Sequence, residues 1–149
     1  MMQVGVVNAK PGSIQFHISN NKLIKIDLMP SHGEEFEIEP FYSQLKAYLA
    51  GLRKEFDLKY TLGVSKFTER VLNATRSIPY GKTMTYGQIA RMLGKPGAAR
   101  AVGQSLKTNP LPIIIPCHRV VSKTGSGGFS AGIEWKDFLC NLEYSSAAE

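Results

Sequence analysis

The sequence has 149 residues, a mass of 16.4 kDa and a net charge of +6, a size that allows one ordinary domain or two small ones sharing a core. Hydrophobic residues make up 43% of it, and no apolar run approaches the roughly 18 residues of a membrane span, which excludes a transmembrane anchor. Two cysteines, too few for a disulfide scaffold, and a start without an export signal predict a cytoplasmic protein with free thiols.

The charge is unevenly distributed along the chain. Residues 1–60 hold seven basic and seven acidic side chains, whereas residues 61–123 hold ten basic side chains against the single acid Glu69, a local net charge of +9. Such a segment attracts polyanions, and a solvated lysine-rich surface is the alternative. The charge alone does not choose between them.

The opening of the chain predicts β-strands. Hydrophobic residues alternate with polar ones on both sides of a turn at Asn20 and Asn21, which predicts a hairpin. The alternating positions are Ile14, Phe16, Ile18, Ile24, Ile26 and Leu28. A further strand is predicted near residues 3–7, separated from the hairpin by the turn at residues 9–12.

A helix and a boundary follow the hairpin. Apolar residues recur at steps of four, four and three at Phe41, Leu45, Leu49 and Leu52. This spacing predicts an amphipathic helix that ends near Gly51, followed by a short strand around residues 58–62. Gly63 and the change in charge mark a boundary there. We therefore predict an α+β protein with a small strand-rich domain at residues 1–62, an antiparallel sheet plus a helix, and a helical domain at residues 63–149.

The second half begins with helices. Ser65 is placed to cap a helix whose apolar face carries Phe67, Val71, Ala74 and Ile78. Thr85 and Gln88 have the spacing of a capping box, which predicts a second helix ending at Gly94.

A third helix of this half follows the turn at residues 96–97. Its predicted apolar face consists of Ala98, Ala101, Val102 and Leu106, and its opposite face of Arg100, Gln104 and Lys107. Two short helices joined by a tight turn, the second one basic outside, fit a DNA-binding helix-turn-helix. A packed helical hairpin with a solvated outer face is the alternative, and the pattern does not separate the two.

Small residues along this helix bear on how it would meet DNA. Ala98, Ala99, Ala101 and Gly103 lack the long hydrogen-bonding side chains that read the major groove. Small side chains instead let a helix backbone approach a sugar-phosphate wall closely. The composition favours docking in the minor groove.

Three other motifs do not satisfy their own requirements. Residues 81–83 resemble the end of a phosphate-binding loop but lack its first glycine, and residues 125–128 lack the third glycine of a dinucleotide loop. His17, His32 and His118 share no metal-ligand spacing with either cysteine, so we predict no metal site.

A cysteine and a histidine follow a proline-flanked apolar run at residues 109–116. Three prolines exclude a freely hydrogen-bonded central strand, so the run is expected to be packed rigidly. Cys117 and His118 then place a potential nucleophile beside a potential base, and an active thiol needs a base or a positive environment, for which His118, Arg119 and the +9 segment are candidates. An inert core cysteine beside a satisfied histidine is the alternative.

The last helix supplies a carboxylate. Trp135, Leu139 and Glu143 follow one another at steps of four, so Glu143 shares a face with large apolar residues. Because an unpaired buried carboxylate is costly, we expect Glu143 to have a partner, and a histidine held between a carboxylate and a thiol is a known catalytic arrangement. Cys140, by contrast, is expected to be a buried structural thiol.

The segment Ile-Pro-Cys-His-Arg-Val at residues 115–120 is similar to the active-site signature of the O6-alkylguanine-DNA alkyltransferases. The resemblance runs from residue 65 to residue 143, whereas residues 1–62 agree only in forming a strand-rich first domain. It implies a monomeric suicide DNA repair protein with a winged helix-turn-helix and an active-site loop. It also implies that double-stranded DNA is bound through the minor groove with weak sequence preference, and that O6-alkylguanine is flipped out and dealkylated without a cofactor.

The resemblance also implies roles for individual residues. Cys117 accepts the alkyl group, His118 is the water-mediated base and Glu143 orients it, while Asn109 fixes the turn before the active-site loop. Tyr86 assists base rotation and proton transfer, Arg100 fills the space left by the flipped nucleotide, and Ala99, Gln104 and Lys107 complete the DNA-facing helix. The implied substrate pocket comprises Val120, Phe129, Ser130 and Ala131, with backbone acceptors for the guanine amino group at Cys117 and Val120 and the Ser130 amide near the guanine oxygen.

The pocket loop departs from the family pattern. Many members have Tyr-Ser-Gly-Gly where this chain has Phe129, Ser130, Ala131 and Gly132, a change that bears on the tolerance for bulky adducts rather than on the reaction. The zinc ligands of some relatives have no match.

Three other functions were weighed against the alkyltransferase. A cysteine hydrolase would use Cys117, His118 and Glu143 but would need neither the helix-turn-helix nor the basic segment. A non-covalent lesion sensor would lack the cysteine, and a winged-helix regulator would bind a specific DNA sequence. The ordered set of residues favours the alkyltransferase.

Overall fold

The computed structural model describes residues 1–125 and 127–147 of the chain. The chain begins with a three-stranded antiparallel sheet in the order β1 (Met2–Asn8), β2 (Ser13–Ser19) and β3 (Lys22–Met29). Asn20 and Asn21 both have positive φ, as the two-residue turn of a tight hairpin requires. The predicted strands and hairpin are confirmed.

A bulge changes which residues of β3 face the core. His17 pairs with Lys25 and Ile18 pairs with Leu23, so Ile24 is an extra residue in β3. The bulge breaks the alternation, so that Leu23 is buried and Ile24 is only half-buried. The predicted core position at Ile24 is therefore wrong, and Leu23 takes its place.

Helix α1 (Phe41–Leu49) covers one side of this sheet. Leu45 and Tyr48 are fully buried, whereas Leu52 lies beyond the helix and is 82% exposed, so the predicted core position at Leu52 is wrong. Around Tyr60 the structure describes only an isolated bridge to Leu23 in place of the predicted strand.

The second half opens with α2 (Lys66–Arg76), the two-residue strand β4 (Met84–Thr85), α3 (Tyr86–Met92) and α4 (Ala99–Lys107). Ser65 Oγ accepts a hydrogen bond from the Thr68 amide, and Thr85 forms the predicted capping box with Gln88. In α4 the buried positions are Val102, Ser105 and Leu106. Ala101, predicted on the apolar face, is exposed, and Ser105 is buried because its hydroxyl hydrogen-bonds Thr68 of α2 at 3.0 Å.

The chain ends with a 3₁₀ turn (Cys117–Arg119), β5 (Val120–Val121), which pairs in parallel with β4, and α5 (Ile133–Ala147). The two halves are joined through backbone and side chains. The Ile26 amide donates to the Pro110 carbonyl at 2.8 Å, and Trp135 Nε1 of α5 donates to the Met29 carbonyl at 2.9 Å. The α+β class is confirmed. Residues 148–149, the end of the predicted second domain, lie outside the described range.

No helix in the described part of the chain combines the length and apolar character needed to cross a membrane.

Candidate active site

A cleft with a volume of about 880 Å³ lies between β3, α4 and the loop at residues 128–131. Ten of the residues predicted from the sequence line it: Tyr86, Ala99, Arg100, Gln104, Lys107, Asn109, Cys117, Phe129, Ser130 and Ala131. One wall, residues 24–29 of β3, was not predicted. The fold thus gathers residues from four separate parts of the chain around Cys117.

The other three predicted residues do not line the cleft. His118 and Glu143 are buried, at 0% and 1% exposure. Val120 is also fully buried, paired with Met84 across the short parallel sheet, and its carbonyl accepts a hydrogen bond from Lys136 Nζ at 2.8 Å.

Asn109 holds the turn that leads to Cys117. Its Nδ2 donates to the Ile115 carbonyl at 2.9 Å and its Oδ1 accepts from the Leu111 amide at 3.0 Å. Between these residues Ile113 has a φ of +79°, which a β-branched residue adopts only under strain of about 1–3 kcal/mol. The Asn109 side chain therefore braces a strained turn and fixes where Cys117 stands.

Cys117 is 8% exposed. Burial raises the pKa of its thiol to about 11, against opposing contributions from the Asn109 hydrogen bond and from Lys136. Arg119, a candidate for activating the thiol, is instead bonded to Glu143. The thiol is neutral at rest, so the residue needs a base at the moment it reacts.

Glu143 is the centre of a buried hydrogen-bond network. His118 Nε2 donates to its Oε2 at 2.7 Å, Arg119 Nε donates to Oε1 at 2.7 Å and Arg119 Nη2 donates to Oε2 at 3.0 Å. The Gly81 amide adds a longer contact to Oε1 at 3.3 Å, and the Tyr48 hydroxyl donates to Oε2. The predicted pairing of His118 with Glu143 is therefore seen directly.

These contacts fix the protonation of the pair. Burial opposes ionisation of Glu143, but the hydrogen bonds from His118 and Arg119 outweigh it and hold the pKa of this carboxyl well below its usual range. Burial lowers the pKa of His118, with its hydrogen bond to Glu143 acting in the opposite direction. Because an ionised carboxylate only accepts hydrogen bonds, Nε2 carries the ring proton.

The other ring nitrogen of His118, Nδ1, is not engaged by Glu143. Nδ1 of His118 is buried and has no hydrogen-bond partner among the described residues. With the proton held at Nε2, Nδ1 presents a lone pair, one residue along the chain from the thiol. The geometry gives His118 one nitrogen for orientation and one for proton transfer.

Tyr86 begins α3 and lines the cleft beside Cys117. Burial raises the pKa of its hydroxyl, so that Tyr86 remains a proton donor at neutral pH. Gly127 has a φ of +78°, and a Cβ atom there would lie 2.6 Å from the Tyr86 hydroxyl oxygen. Glycine is needed at this position both for the backbone conformation and for the close approach to Tyr86.

The basic residues of the +9 segment divide into two groups. Nine of the ten are exposed, and none of these nine forms an ion pair with any described residue. They are Lys66, Arg70, Arg76, Lys82, Arg91, Lys95, Arg100, Lys107 and Lys123. Arg119, the tenth, is 8% exposed and bound to Glu143. The surface therefore keeps nearly all of the predicted positive charge.

Lys136 is a buried cation that the sequence analysis did not single out. It is 1% exposed, and its Nζ donates to the Val120 carbonyl at 2.8 Å and to the Gly128 carbonyl at 3.3 Å. Burial lowers the pKa of this ammonium. It ties α5 both to the segment after Cys117 and to the loop over the cleft.

Cys140 has a different environment. It is half-buried, and its thiol donates to the His118 carbonyl at 3.2 Å. It does not line the cleft.

Comparison with known proteins decides the family. Residues 66–145, more than half of the chain, match the family model described as 6-O-methylguanine DNA methyltransferase, DNA binding domain. The chain belongs to this methyltransferase family. The resemblance inferred from residues 115–120 is therefore confirmed.

Individual members of the methyltransferase family are similar beyond the matched domain. A methylated-DNA–protein-cysteine methyltransferase of Methanosarcina acetivorans is 48% identical over 103 residues, 68% of this chain and 66% of that protein, so the alignment spans just under two thirds of the relative's length. The crystal structure of the Mycobacterium tuberculosis O6-methylguanine methyltransferase superposes with a TM-score of 0.87 at 34% identity, covering 98% of this chain and 94% of that one. A structure of the M. tuberculosis protein in complex with DNA also has a TM-score of 0.87, at 35% identity, and covers 95% of this chain and 92% of that one.

The buried roles of three residues around the candidate active site were not predicted from the sequence. Tyr48 lies three residues after Leu45 on the buried face of α1, whereas the step of four leads from Leu45 to Leu49. Arg119 was named as part of the basic segment and as a candidate for activating Cys117, but its ion pair with Glu143 was not predicted. Lys136 directly follows Trp135, and nothing in its local sequence distinguishes it from an exposed lysine. It is buried because it lies on the face of α5 that packs against the 3₁₀ turn.

Proposed function

We propose that the protein repairs DNA by transferring the alkyl group of O6-alkylguanine to its own Cys117. Family membership supports this reaction, and the observation that carries it is the placement of Cys117. A neutral, nearly buried thiol lies in the wall of a large cleft, beside a histidine whose free nitrogen is poised as a base. Arg100 and Lys107 line the same cleft, which suits a polyanionic substrate.

DNA would be bound by α3 and α4 acting as the helix-turn-helix of a winged domain. In α4, Arg100, Gln104 and Lys107 are exposed on one face. The small residue Ala99 and the half-buried Gly103 let the helix backbone approach a sugar-phosphate wall, which favours the minor groove. The nine exposed cations of the basic segment supply contacts to phosphates that do not depend on sequence. We therefore expect binding of double-stranded DNA with weak sequence preference.

The position of Cys117 requires the target nucleotide to leave the helix. A side chain that is 8% exposed within a cleft cannot reach a base that is stacked inside a duplex. Extruding the nucleotide costs a few kcal/mol, less for a poorly paired damaged base. Arg100, exposed on α4 at the rim of the cleft, is placed to occupy the space left in the stack.

The flipped base would lie between the side chain of Tyr86 and the loop at residues 128–131. Phe129 and Ala131 provide apolar contacts, and the Ser130 amide would donate to the guanine oxygen. The backbone carbonyl of Cys117 would accept from the guanine amino group. The Val120 carbonyl, the second acceptor that the resemblance implies, belongs to a residue that is fully buried and outside the cleft lining. The Lys136 ammonium already bonds the Val120 carbonyl, which leaves that oxygen one further lone pair.

The chemistry follows from the protonation states. The Cys117 proton passes, through a water molecule, to Nδ1 of His118, and Glu143 stabilises the resulting imidazolium. The sulfur attacks the alkyl carbon, a carbon–sulfur bond forms and the carbon–O6 bond breaks. Tyr86 donates a proton to the departing guanine and recovers one from His118 through solvent. Atoms and charge balance, and neither a metal nor a cofactor enters.

The product is a thioether on Cys117. Hydrolysis of a carbon–sulfur bond needs an activated nucleophile and a stabilised leaving thiolate. Burial raises the pKa of the Cys117 thiol to about 11, so its thiolate is a poor leaving group. One alkyl group per molecule is the expected yield. We further propose that the protein acts in the cytoplasm as a monomer, with residues 1–62 and 63–149 as its two structural units.

The test is intact mass and peptide mapping after incubation with a duplex that carries O6-methylguanine. We expect one methyl group per molecule, on Cys117, and repair that stops at one equivalent. Cys117→Ser should stay unmodified, whereas Cys140→Ser, the matched control at the second thiol, should react as the wild type does. Methylation of Cys140, or product formed beyond one equivalent, would overturn the proposal.

A further inference from the structure

The amino-terminal half contributes one side chain to the buried network around Glu143. Tyr48 of α1 is fully buried, and its hydroxyl donates to Glu143 Oε2 across 95 positions of sequence. The same oxygen accepts the hydrogen bond from His118 Nε2 at 2.7 Å. Tyr48 and His118 therefore compete for one acceptor atom.

We propose that Tyr48 is a positioning residue for the transfer reaction, setting the basicity of His118 by sharing Oε2 of Glu143 with the imidazole ring. This inference rests on the proposed function. It gives residues 1–62 a part in the chemistry in addition to packing.

The Tyr48 hydroxyl is a permanent donor. Burial, together with the negative charge of Glu143, raises its pKa well above the usual value, so Tyr48 keeps its proton throughout the working range. Its ring is held by Phe56, with centroids 5.4 Å apart, and by Tyr80 in an edge-on contact at 6.2 Å. The hydroxyl oxygen therefore cannot move away from the carboxylate without disturbing two aromatic contacts.

Sharing an acceptor weakens each of the bonds to it. Glu143 receives five hydrogen bonds, from Tyr48, His118, Gly81 and twice from Arg119. Each donor that stabilises the carboxylate charge reduces what remains to attract the His118 proton. Without the Tyr48 hydroxyl, Oε2 would bind that proton more strongly, and His118 would become protonated at a higher pH.

Several other charged and titratable groups lie near His118. Arg119 and Lys136 oppose protonation of His118 and Glu143 favours it. Cys117 precedes His118 in the chain, and the Cys140 thiol contacts its carbonyl. Of these groups only Glu143 forms a hydrogen bond with the Tyr48 hydroxyl, so a shift can be assigned to the loss of that bond.

Tyr80 offers a matched control. It packs edge-on against Tyr48 and its hydroxyl is also buried, yet that hydroxyl has no hydrogen-bond partner among the described residues. Tyr80→Phe removes the same group from the same aromatic cluster and leaves Glu143 untouched. Tyr48→Phe keeps the ring and removes only the donor.

The first measurement is the titration of the His118 ring by nitrogen-15 NMR in the full chain before alkylation. We expect Tyr48→Phe to raise the midpoint by about 0.5 pH units or more, and Tyr80→Phe to leave it unchanged. The second is the pH profile of methyl transfer, whose acidic limb should move upward by the same amount in Tyr48→Phe. Incorporation of 3-fluorotyrosine at position 48 gives a stronger hydrogen-bond donor and retains the hydroxyl and the fold. It should move the His118 midpoint and the acidic limb of the pH profile to lower pH.

The outcomes separate the two proposals. Wild-type protein that leaves Cys117 unmodified contradicts the proposed function, whereas the NMR titration does not depend on methyl transfer. A His118 midpoint that is identical in wild type, Tyr48→Phe and the fluorotyrosine protein would overturn the role of Tyr48. So would an equal shift in Tyr80→Phe.

Discussion

The buried residues of this site are held by charge and hydrogen bonding as well as by packing. Arg119 is bound to the carboxylate of Glu143 and to the Ile78 carbonyl, so this cation stabilises the interior and is not part of the exposed positive surface. Lys136 bonds only carbonyl oxygens among the described residues. The basic residues of the chain thus have three different roles. Most contribute surface charge, Arg119 forms a buried ion pair, and Lys136 anchors the loop over the cleft.

Glu143→Gln tests the network directly. The amide keeps the size of the side chain but leaves the Arg119 guanidinium buried without its charge partner, so we expect a loss of about 3–5 kcal/mol in the free energy of unfolding. Denaturant unfolding measures it. Glu134→Gln, at an exposed site in the first turn of the same helix, should change stability by less than about 1 kcal/mol.

The same variant should also react slowly wherever it stays folded. Loss of the carboxylate removes the charge that stabilises a protonated His118, so the rate should fall and recover at higher pH while DNA affinity is unchanged. A folded Glu143→Gln protein that methylates Cys117 at the wild-type rate across neutral pH would show that the carboxylate is only structural.

Local chemistry made several elements and residues predictable. The Ser65 cap and the Thr85 capping box each involve a few neighbouring residues, and steps of four along α5 placed Glu143 on the buried face. Tyr48 was not predictable in the same way, because its partner is 95 positions away. The β3 wall of the cleft was missed for a related reason: the bulge at Ile24 changes the facing of the strand, and strand alternation does not reveal a bulge.

At the scale of elements, α4 carries Arg100, whose proposed role is in extruding the nucleotide and not in the transfer step. Arg100→Ala should slow methyl transfer from duplex DNA about tenfold or more, since a loss of 1.4 kcal/mol in stabilising the extruded state has this effect. Reaction with free O6-methylguanine base should change by less than about twofold, because a free base needs no extrusion. Single-turnover rates on both substrates decide the matter.

Lys22→Ala is the control for general charge effects. Lys22 is exposed at the turn between β2 and β3 and does not line the cleft. It should leave both rates unaltered. Equal losses on duplex and free base in Arg100→Ala would remove Arg100 from the proposed role.

For the whole molecule, the buried titratable groups define a pH window of stability. The pKa of His118 is lowered from 6.5 by burial, and that of Glu143 is lowered from 4.5 by its donors. The unfolded chain therefore takes up protons before the folded one does as the pH falls. The contribution of His118 and Glu143 to the free energy of unfolding is present in full above about pH 6.5. It is lost progressively below that pH, through pH 4.5 and lower.

The alkaline side depends on Cys117. Its pKa is raised from 9.0 to about 11, chiefly by burial, so the unfolded chain loses the thiol proton first as the pH rises. The stability linked to the neutral thiol is present in full below pH 9 and is lost between pH 9 and 11, at about 1.4 kcal/mol per unit. Denaturant unfolding across this range measures the free energies of unfolding of wild type and Cys117→Ser. The wild-type value minus the Cys117→Ser value should fall by about 2–3 kcal/mol between pH 9 and pH 11. Cys140→Ser, at the half-buried thiol, serves as the comparison and should show a smaller change. A wild-type minus Cys117→Ser difference that stays constant from pH 8 to 11 would mean that the thiol ionises as readily in the folded protein as in the unfolded chain, and that the nucleophile does not start the reaction as a neutral thiol.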